Sequence, residues 1–320
     1  MNPDYALSPP SRVSFATHDR DVDVAWKAEV LERVRLSRWN TYVGLDGRQA
    51  ARDFAERLRL DPGGDRRGSL HRGAEAALKC LIEHRAPERL WVPAHGYPGF
   101  ARVASSCRIP LLTYADLDDL AGSRRGDLVV ITTPSSPIAT ADAGDLLRAL
   151  AGRGAQAVVD ATFSLLDPDG VAGLAPLLRL TDAPVIVSAS KSLGLAGIRL
   201  GVLLDGGPGP HVMPNPMELD VFQCAVWDAF IDGDNLRRRA HDVGTRQRKL
   251  HHRLRRALER LEAEVMYASN SFAITVRRGS VPEPALGDHG WKEYPLLNAL
   301  RLDASDRVAA SIEAWTGAPS

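Results

Sequence analysis

Cysteine is scarce in this chain of 320 residues: Cys80, Cys107 and Cys224 stand far apart, with no Cys-x-x-Cys pair. That excludes a zinc ribbon or a disulfide framework, so no metal site is expected and a reducing compartment fits. Net charge is lacking too. Forty Lys and Arg balance forty Asp and Glu, which argues against nucleic acid or an anionic membrane surface as a partner. No run approaches the roughly 18 apolar residues of a membrane span. Residues 1–20 hold no apolar stretch of signal-peptide length, so a cytoplasmic location is expected. Internal repeats and low-complexity tracts are also missing. What is present is an apolar fraction of 44%, enough to build a sizeable core, in a length that suits one large or two modest domains.

Periodicity divides the chain. Helices are predicted at 24–35, 48–59, 74–83, 99–106 and 143–151. Short apolar strands are predicted at 89–93, 110–114, 128–132, 157–159, 185–188 and 198–204. Residues 61–68 read as a turn. Strands alternating with helices indicate βαβ units and a mostly parallel sheet covered on both faces. After a turn at 205–210 the texture changes to long helices at 217–230 and 235–265, then strands at 271–277 and 298–302. The Arg- and His-rich helix reads as a solvated face. Residues 279–290, rich in Pro and Gly, have room only for a loop. The expected organisation is an N-terminal arm (1–40) packing with the small domain or a partner subunit, a large α/β domain (41–210), and interdomain helices with an abbreviated small domain (211–320).

In an open α/β sheet, ligands bind at the carboxyl ends of the parallel strands. Three predicted strands end in polar groups there. One runs into Thr133-Pro134-Ser135-Ser136-Pro137, one ends on Asp160, and one runs into Ser190-Lys191-Ser192. A carboxylate, a lysine and hydroxyls therefore converge on one rim.

The segment Ser188-Ala189-Ser190-Lys191-Ser192-Leu193-Gly194, with Arg199 eight residues after Lys191, resembles the lysine segment of fold-type I pyridoxal 5′-phosphate enzymes. The resemblance is to the class I/II aminotransferase family, in the manner of histidinol-phosphate aminotransferase and threonine-phosphate decarboxylase. Other pieces are similar in the same order: Arg72-Gly73-Ala74-Glu75 to the phosphate-cradle turn, and Val92-Pro93-Ala94-His95-Gly96-Tyr97 to the segment with the ring-stacking aromatic. Further on, Thr133–Pro137 is similar to the Pro-Asn-Asn-Pro loop, Val158-Val159-Asp160-Ala161-Thr162-Phe163 to the Asp-Glu-Ala-Tyr strand, and Leu300-Arg301-Leu302 to the carboxylate-binding strand. The resemblance implies a large domain with a mostly parallel seven-stranded sheet, plus a small α+β domain.

It also implies roles. Lys191 carries the cofactor as a Schiff base and later shuttles a proton; burial beside Arg199 would lower its pKa. Asp160 keeps the pyridine nitrogen protonated. Gly73, Ala74 and Glu75 open a helix whose dipole favours phosphate, helped by Ser190 and Arg199. Arg301 grips a substrate carboxylate. Tyr42, or Trp39 in its place, reaches the partner subunit's phosphate, since the family builds its sites in a homodimer. Three positions depart from the pattern: Ser136 replaces an Asn, Phe163 a Tyr, and His95 the stacking Tyr. The expected function is an aminotransferase acting on an amino acid or an amino-acid-like substrate, in the biosynthesis of a specialised metabolite. Decarboxylation, oxidation, or an eliminating or cyclising lyase reaction are the enzymatic alternatives. A catalytically altered cofactor-binding protein is the other.

Overall fold

The computed structural model describes residues 24–36, 47–60, 66–138, 141–180, 182–206, 219–231, 234–286 and 291–317. In chain order the first elements are α1 (Val24–Leu36), α2 (Gly47–Arg57), β1 (Arg67–His71), α3 (Ala74–Arg85), β2 (Arg89–Pro93), α4 (Gly99–Cys107) and β3 (Leu111–Tyr114). Then come β4 (Asp127–Thr132), α5 (Ala143–Arg153), β5 (Gln156–Asp160), α6 (Pro168–Leu180), β6 (Val185–Ser188), α7 (Ala189–Ser192) and β7 (Gly201–Asp205). The chain continues with α8 (Val221–Ile231), α9 (Asn235–Arg260), β8 (Val265–Tyr267), β9 (Ala273–Arg277), α10 (Glu283–Leu286), β10 (Trp291–Tyr294), β11 (Ala299–Asp303) and α11 (Asp306–Gly317).

The large sheet has seven strands in the order β1-β7-β6-β5-β4-β2-β3. Its β3, β2, β4, β5 and β6 run parallel, while β7 pairs antiparallel with both β6 and β1. Strand β4 shows why the sequence folds this way. Its successive residues point to opposite faces. Leu128 and Val130 belong to the apolar cluster that includes α3 and α4; Val129 and Ile131 belong to the one on the opposite face, which runs on through α5 to α2, α6 and α8. With both faces covered, the strand must be apolar throughout, and each such side chain contributes about 1.5–3 kcal/mol. The small sheet, β10-β11-β9-β8, is antiparallel, and α9 and α11 pack on it through Leu254, Leu258, Val308 and Ile312. At the other end of the described chain, Trp26 of α1 packs on Phe230 of α8, their rings 4.8 Å apart.

The structure corrects several sequence expectations. Residues 67–71, expected to lie partly in a turn, form β1. Gly68 is there because α2 crosses closely: a Cβ on it would lie 2.5 Å from that of Ala51. Strand β7 starts at Gly201 rather than at 198, because Arg199 takes a left-handed conformation (φ 58°) that breaks the extended run. Helix α6, interrupted in sequence by glycines and Pro176, was not expected. Helix α9 ends at Arg260 rather than at 265, in a turn with Glu262 at φ 54°, and β8 follows. The stretch expected to be only a loop contains α10, and β10 follows it as a hairpin partner of β11. The small domain is therefore less abbreviated than its composition implies.

One buried carboxylate ties the strand starts together. Asp127, fully buried, accepts from Arg89 Nε and Nη2 at 2.8 and 2.6 Å, from Trp91 Nε1 at 3.0 Å and from the Arg124 N–H at 3.0 Å. Burial pushes its pKa up, but the bonds from Arg89, Arg124 and Trp91 outweigh that and hold it below the usual carboxylate value. A depressed carboxylate stabilises the fold above its unfolded pKa of about 3.9, and the contribution is lost as pH falls through the folded value. Asp127→Ala is expected to cost about 3 kcal/mol in urea unfolding at pH 7, by stranding Arg89 and Trp91. The gap to wild type should narrow below about pH 4.

Candidate active site

The anion cradle is built first. Strand β1 ends at His71, and the Gly73 N–H donates to the His71 carbonyl at 2.8 Å, turning the chain into α3. Gly73 has φ 89°, and a Cβ there would lie 2.8 Å from Arg199 Nη2, so this turn requires glycine. Helix α3 has no side-chain cap at its N-terminus, which leaves the first N–H groups, at Ala74 and Glu75, facing a cleft that both residues line. Arg199 closes the cradle from the far side and donates from Nη1 to Ser190 Oγ at 3.3 Å. The Glu75 carboxylate is turned away from this role. It accepts from Tyr97 Oη and, at 2.6 Å, from Arg102 Nη2.

Lys191 sits on α7, a single helical turn at the carboxyl end of β6. Ser188 caps that turn by accepting the Ser190 N–H at 3.1 Å, and Ser192 Oγ donates to the Ser188 carbonyl. The lysine's pKa is pulled down to about 8. Burial is the main cause, followed by the Arg301 cation; Asp303 opposes, and Arg199 adds a lesser push downward. Burial and Arg199 thus act in the expected direction, and Arg301, from the small domain, adds a larger push than Arg199.

Asp160 ends β5 and is buried at 7% exposure. One of its oxygens accepts the Thr162 N–H at 3.0 Å, and among the described residues it has no ion-pair partner. Burial raises its pKa, with Thr162 opposing. Thr132 lies beside it in register on β4, and its buried hydroxyl has no hydrogen-bond partner among the described residues.

All of this opens on one cleft of about 470 Å³, lined by Ala74, Glu75, Ser136, Asp160, Phe163, Ser190, Lys191, Arg199 and Arg301 among others. Phe163 stands with its ring centroid 5.9 Å from Lys191 Nζ. Arg301 donates to Asp303 at 2.9 Å and to Ser136 Oγ at 3.4 Å. The Ser136 hydroxyl is therefore engaged by the small domain.

His95 is not in this cleft. It lines an adjoining space of about 20 Å³ that shares Gly96, Thr132 and Ser136 with the cleft, whereas Tyr97 lines the cleft itself. The aromatic of that segment is thus Tyr97, two residues on, and the expectation for His95 is corrected. Tyr42 and Trp39 lie outside the described residues. Sequence reasoning missed Lys292 and Tyr294, which line the cleft from β10, because that strand was not recognised. It also missed Gln223 of α8, whose amide donates to the carbonyls of Ile198 and Arg199 at 3.0 Å each; no motif marks it.

The cleft fits the pyridoxal phosphate that the resemblance implies. It offers an amine of lowered pKa, a helix N-terminus with an arginine for the phosphate, and a buried carboxylate with no cationic partner among the described residues. Among the described residues no cluster of His, Cys, Asp or Glu suits a metal ion, and no helix is long and apolar enough to cross a membrane.

Comparison with known proteins agrees with the geometry. The family model for aminotransferase class I and II matches residues 17–205. No curated protein matches the sequence. Solved structures share the fold. An inferred aminotransferase of Burkholderia pseudomallei K96243 superposes with a TM-score of 0.74 at 21% identity, covering 95% of this chain and 98% of the other. YbdL of Escherichia coli, described with a methionine aminotransferase function, gives 0.70 at 18%, covering 93% and 90%. Histidinol-phosphate aminotransferase of Sinorhizobium meliloti, solved with pyridoxal 5′-phosphate, gives 0.65 at 17%, covering 96% and 97%.

The depressed lysine has a measurable consequence. Between about pH 8 and its ordinary value of 10.5 the unfolded chain holds a proton that the folded chain does not, so stability rises with pH across that window. Below it the fold carries a buried cation at a cost of about 3 kcal/mol. Lys191→Met is expected to raise the urea midpoint of the cofactor-free protein at pH 7, with the gain fading toward pH 10.5. An equal gain at both ends would show a lysine that titrates normally.

Proposed function

The chain belongs to the class I and II aminotransferase family, and from that premise we propose that it moves an amino group from an amino acid to an oxo acceptor, with pyridoxal 5′-phosphate as cofactor. The observation that carries this reading is the pairing, in one cleft, of a lysine with pKa near 8 and a buried aspartate that has no cationic partner among the described residues. When bound, the cofactor supplies an aldehyde that captures amines and a ring that withdraws electrons from the substrate's α-carbon.

The chain's own residues do the rest. The N–H groups of Ala74 and Glu75, with Ser190 and Arg199, would hold the phosphate. Asp160 would hold a protonated ring nitrogen, and that cation would in turn favour its charged form. Lys191, neutral in a large fraction near pH 8, would take the proton from the substrate's α-carbon and give it up on the cofactor side, where the amino group is kept until an oxo acceptor arrives. Arg301, braced by Asp303, is suited to a substrate carboxylate. Phe163 offers no hydrogen bond and keeps that side of the cleft apolar. The reading includes a homodimer located in the cytoplasm, serving the biosynthesis of a specialised metabolite. The family's habit of building sites between subunits supports the dimer.

The test uses the cofactor-loaded protein, a panel of ¹⁵N-labelled amino acids and several 2-oxo acids. Appearance of ¹⁵N in a new amino acid supports the proposal. Release of carbon dioxide, or uptake of oxygen, without nitrogen transfer would replace it with decarboxylation or oxidation. Lys191→Ala is expected to lower the transfer rate by about 10²–10⁴-fold, the usual worth of a positioned acid–base group. Asp160→Asn should lower it by about 10²-fold while the cofactor remains bound.

A further inference from the structure

We propose that Gln223 is a positioning residue for the phosphate cradle, acting through Arg199. The inference rests on the cofactor assignment above and deepens it. Gln223 stands on α8, some 24 residues beyond the arginine, at 3% exposure. Its amide is fully used. Nε2 donates to the Ile198 and Arg199 carbonyls at 3.0 Å each, and Oε1 accepts the Asp220 N–H at 3.1 Å. The Asp220 carboxylate accepts the Gln223 N–H at 2.8 Å, fixing the first turn of α8.

The two carbonyls it holds flank the peptide that carries Arg199 at φ 58°. A side chain other than glycine reaches that region only at a cost, and surrounding bonds must over-determine it. Those bonds come from two sides. The Leu200 carbonyl accepts the Ala189 N–H at 3.0 Å, which joins the turn to the lysine-bearing segment. Gln223 supplies the other side. With the backbone so fixed, the Arg199 guanidinium points between Ser190 Oγ and the position that a Gly73 side chain would fill. Without Gln223, two carbonyl oxygens would lose their donors and the left-handed turn would lose its brace. The guanidinium would then wander from the phosphate.

Gln223→Glu is the sharpest test, since it keeps the shape and removes both donors. The measurement is the dissociation constant of the full-length protein for pyridoxal 5′-phosphate and for pyridoxal, which lacks the phosphate. Gln223→Glu is expected to weaken pyridoxal 5′-phosphate binding by about tenfold, the worth of one or two lost neutral hydrogen bonds. Pyridoxal binding should be unchanged, because Lys191 and Asp160 are not touched. Gln223→Asn, with its shorter reach, should behave like Gln223→Glu if the contact matters and it folds; the urea midpoint of each variant reports folding. Equal losses for both ligands would show a general structural role and overturn the inference. Unchanged binding of both would overturn it as well. A wild-type protein that binds neither ligand would overturn the cofactor assignment and this inference with it.

Discussion

The cost of burying Asp160 is the constraint on which the site depends. A carboxylate at the end of a central parallel strand, with one N–H donor and no cation among the described residues, is held in an unfavourable state. Folding tolerates it because the apolar strands β4, β5 and β6 supply far more stabilisation than this one group removes. The unmet demand for a positive partner then becomes a binding determinant: any ligand that brings a protonated ring nitrogen to this carboxylate recovers what folding spent.

Lys191 presents the complementary case. Its burial favours the neutral amine, and Arg301 reinforces that across the boundary between the large and small sheets. The small sheet reaches the large one through the loop after β4. Arg301 contacts Ser136, Asn270 donates to the Ser135 carbonyl at 3.2 Å, and Thr275 donates to the Pro137 carbonyl. The reactivity of the lysine therefore depends on how the small domain is seated. The same arginine that suits a substrate carboxylate also tunes the amine, so binding an anion at Arg301 would ease its depressing effect on the lysine.

Much of this was legible in the sequence, for physical reasons. The central strands are buried on both faces, so they read as continuous apolar runs, and their polar ends stand out. Lys191, Asp160 and Ser190 stand at predicted strand ends; Arg199, and the roles of all four, come from the resemblance that one glycine-rich segment carries. What was missed lacks such signals. Strand β1 is an edge strand whose Arg67 and Gly68 read as a turn, and the reason for Gly68 is a close approach by α2 that only the fold reveals. Strand β10 is short and partly exposed. Tyr97 lines the cleft where His95 was expected, because both stand in the irregular turn after β2, where no periodicity gives the direction of a side chain. Gln223 works through backbone carbonyls, which carry no side-chain pattern for a sequence to display.

The central claim is that Lys191 is the residue to which the cofactor attaches. Borohydride reduction of the cofactor-loaded protein, followed by proteolysis and mass spectrometry, tests it most directly. The account predicts a pyridoxyl group on the peptide containing Lys191 and nowhere else. A modified peptide at Lys292 or any other lysine, with Lys191 unmodified, would contradict it.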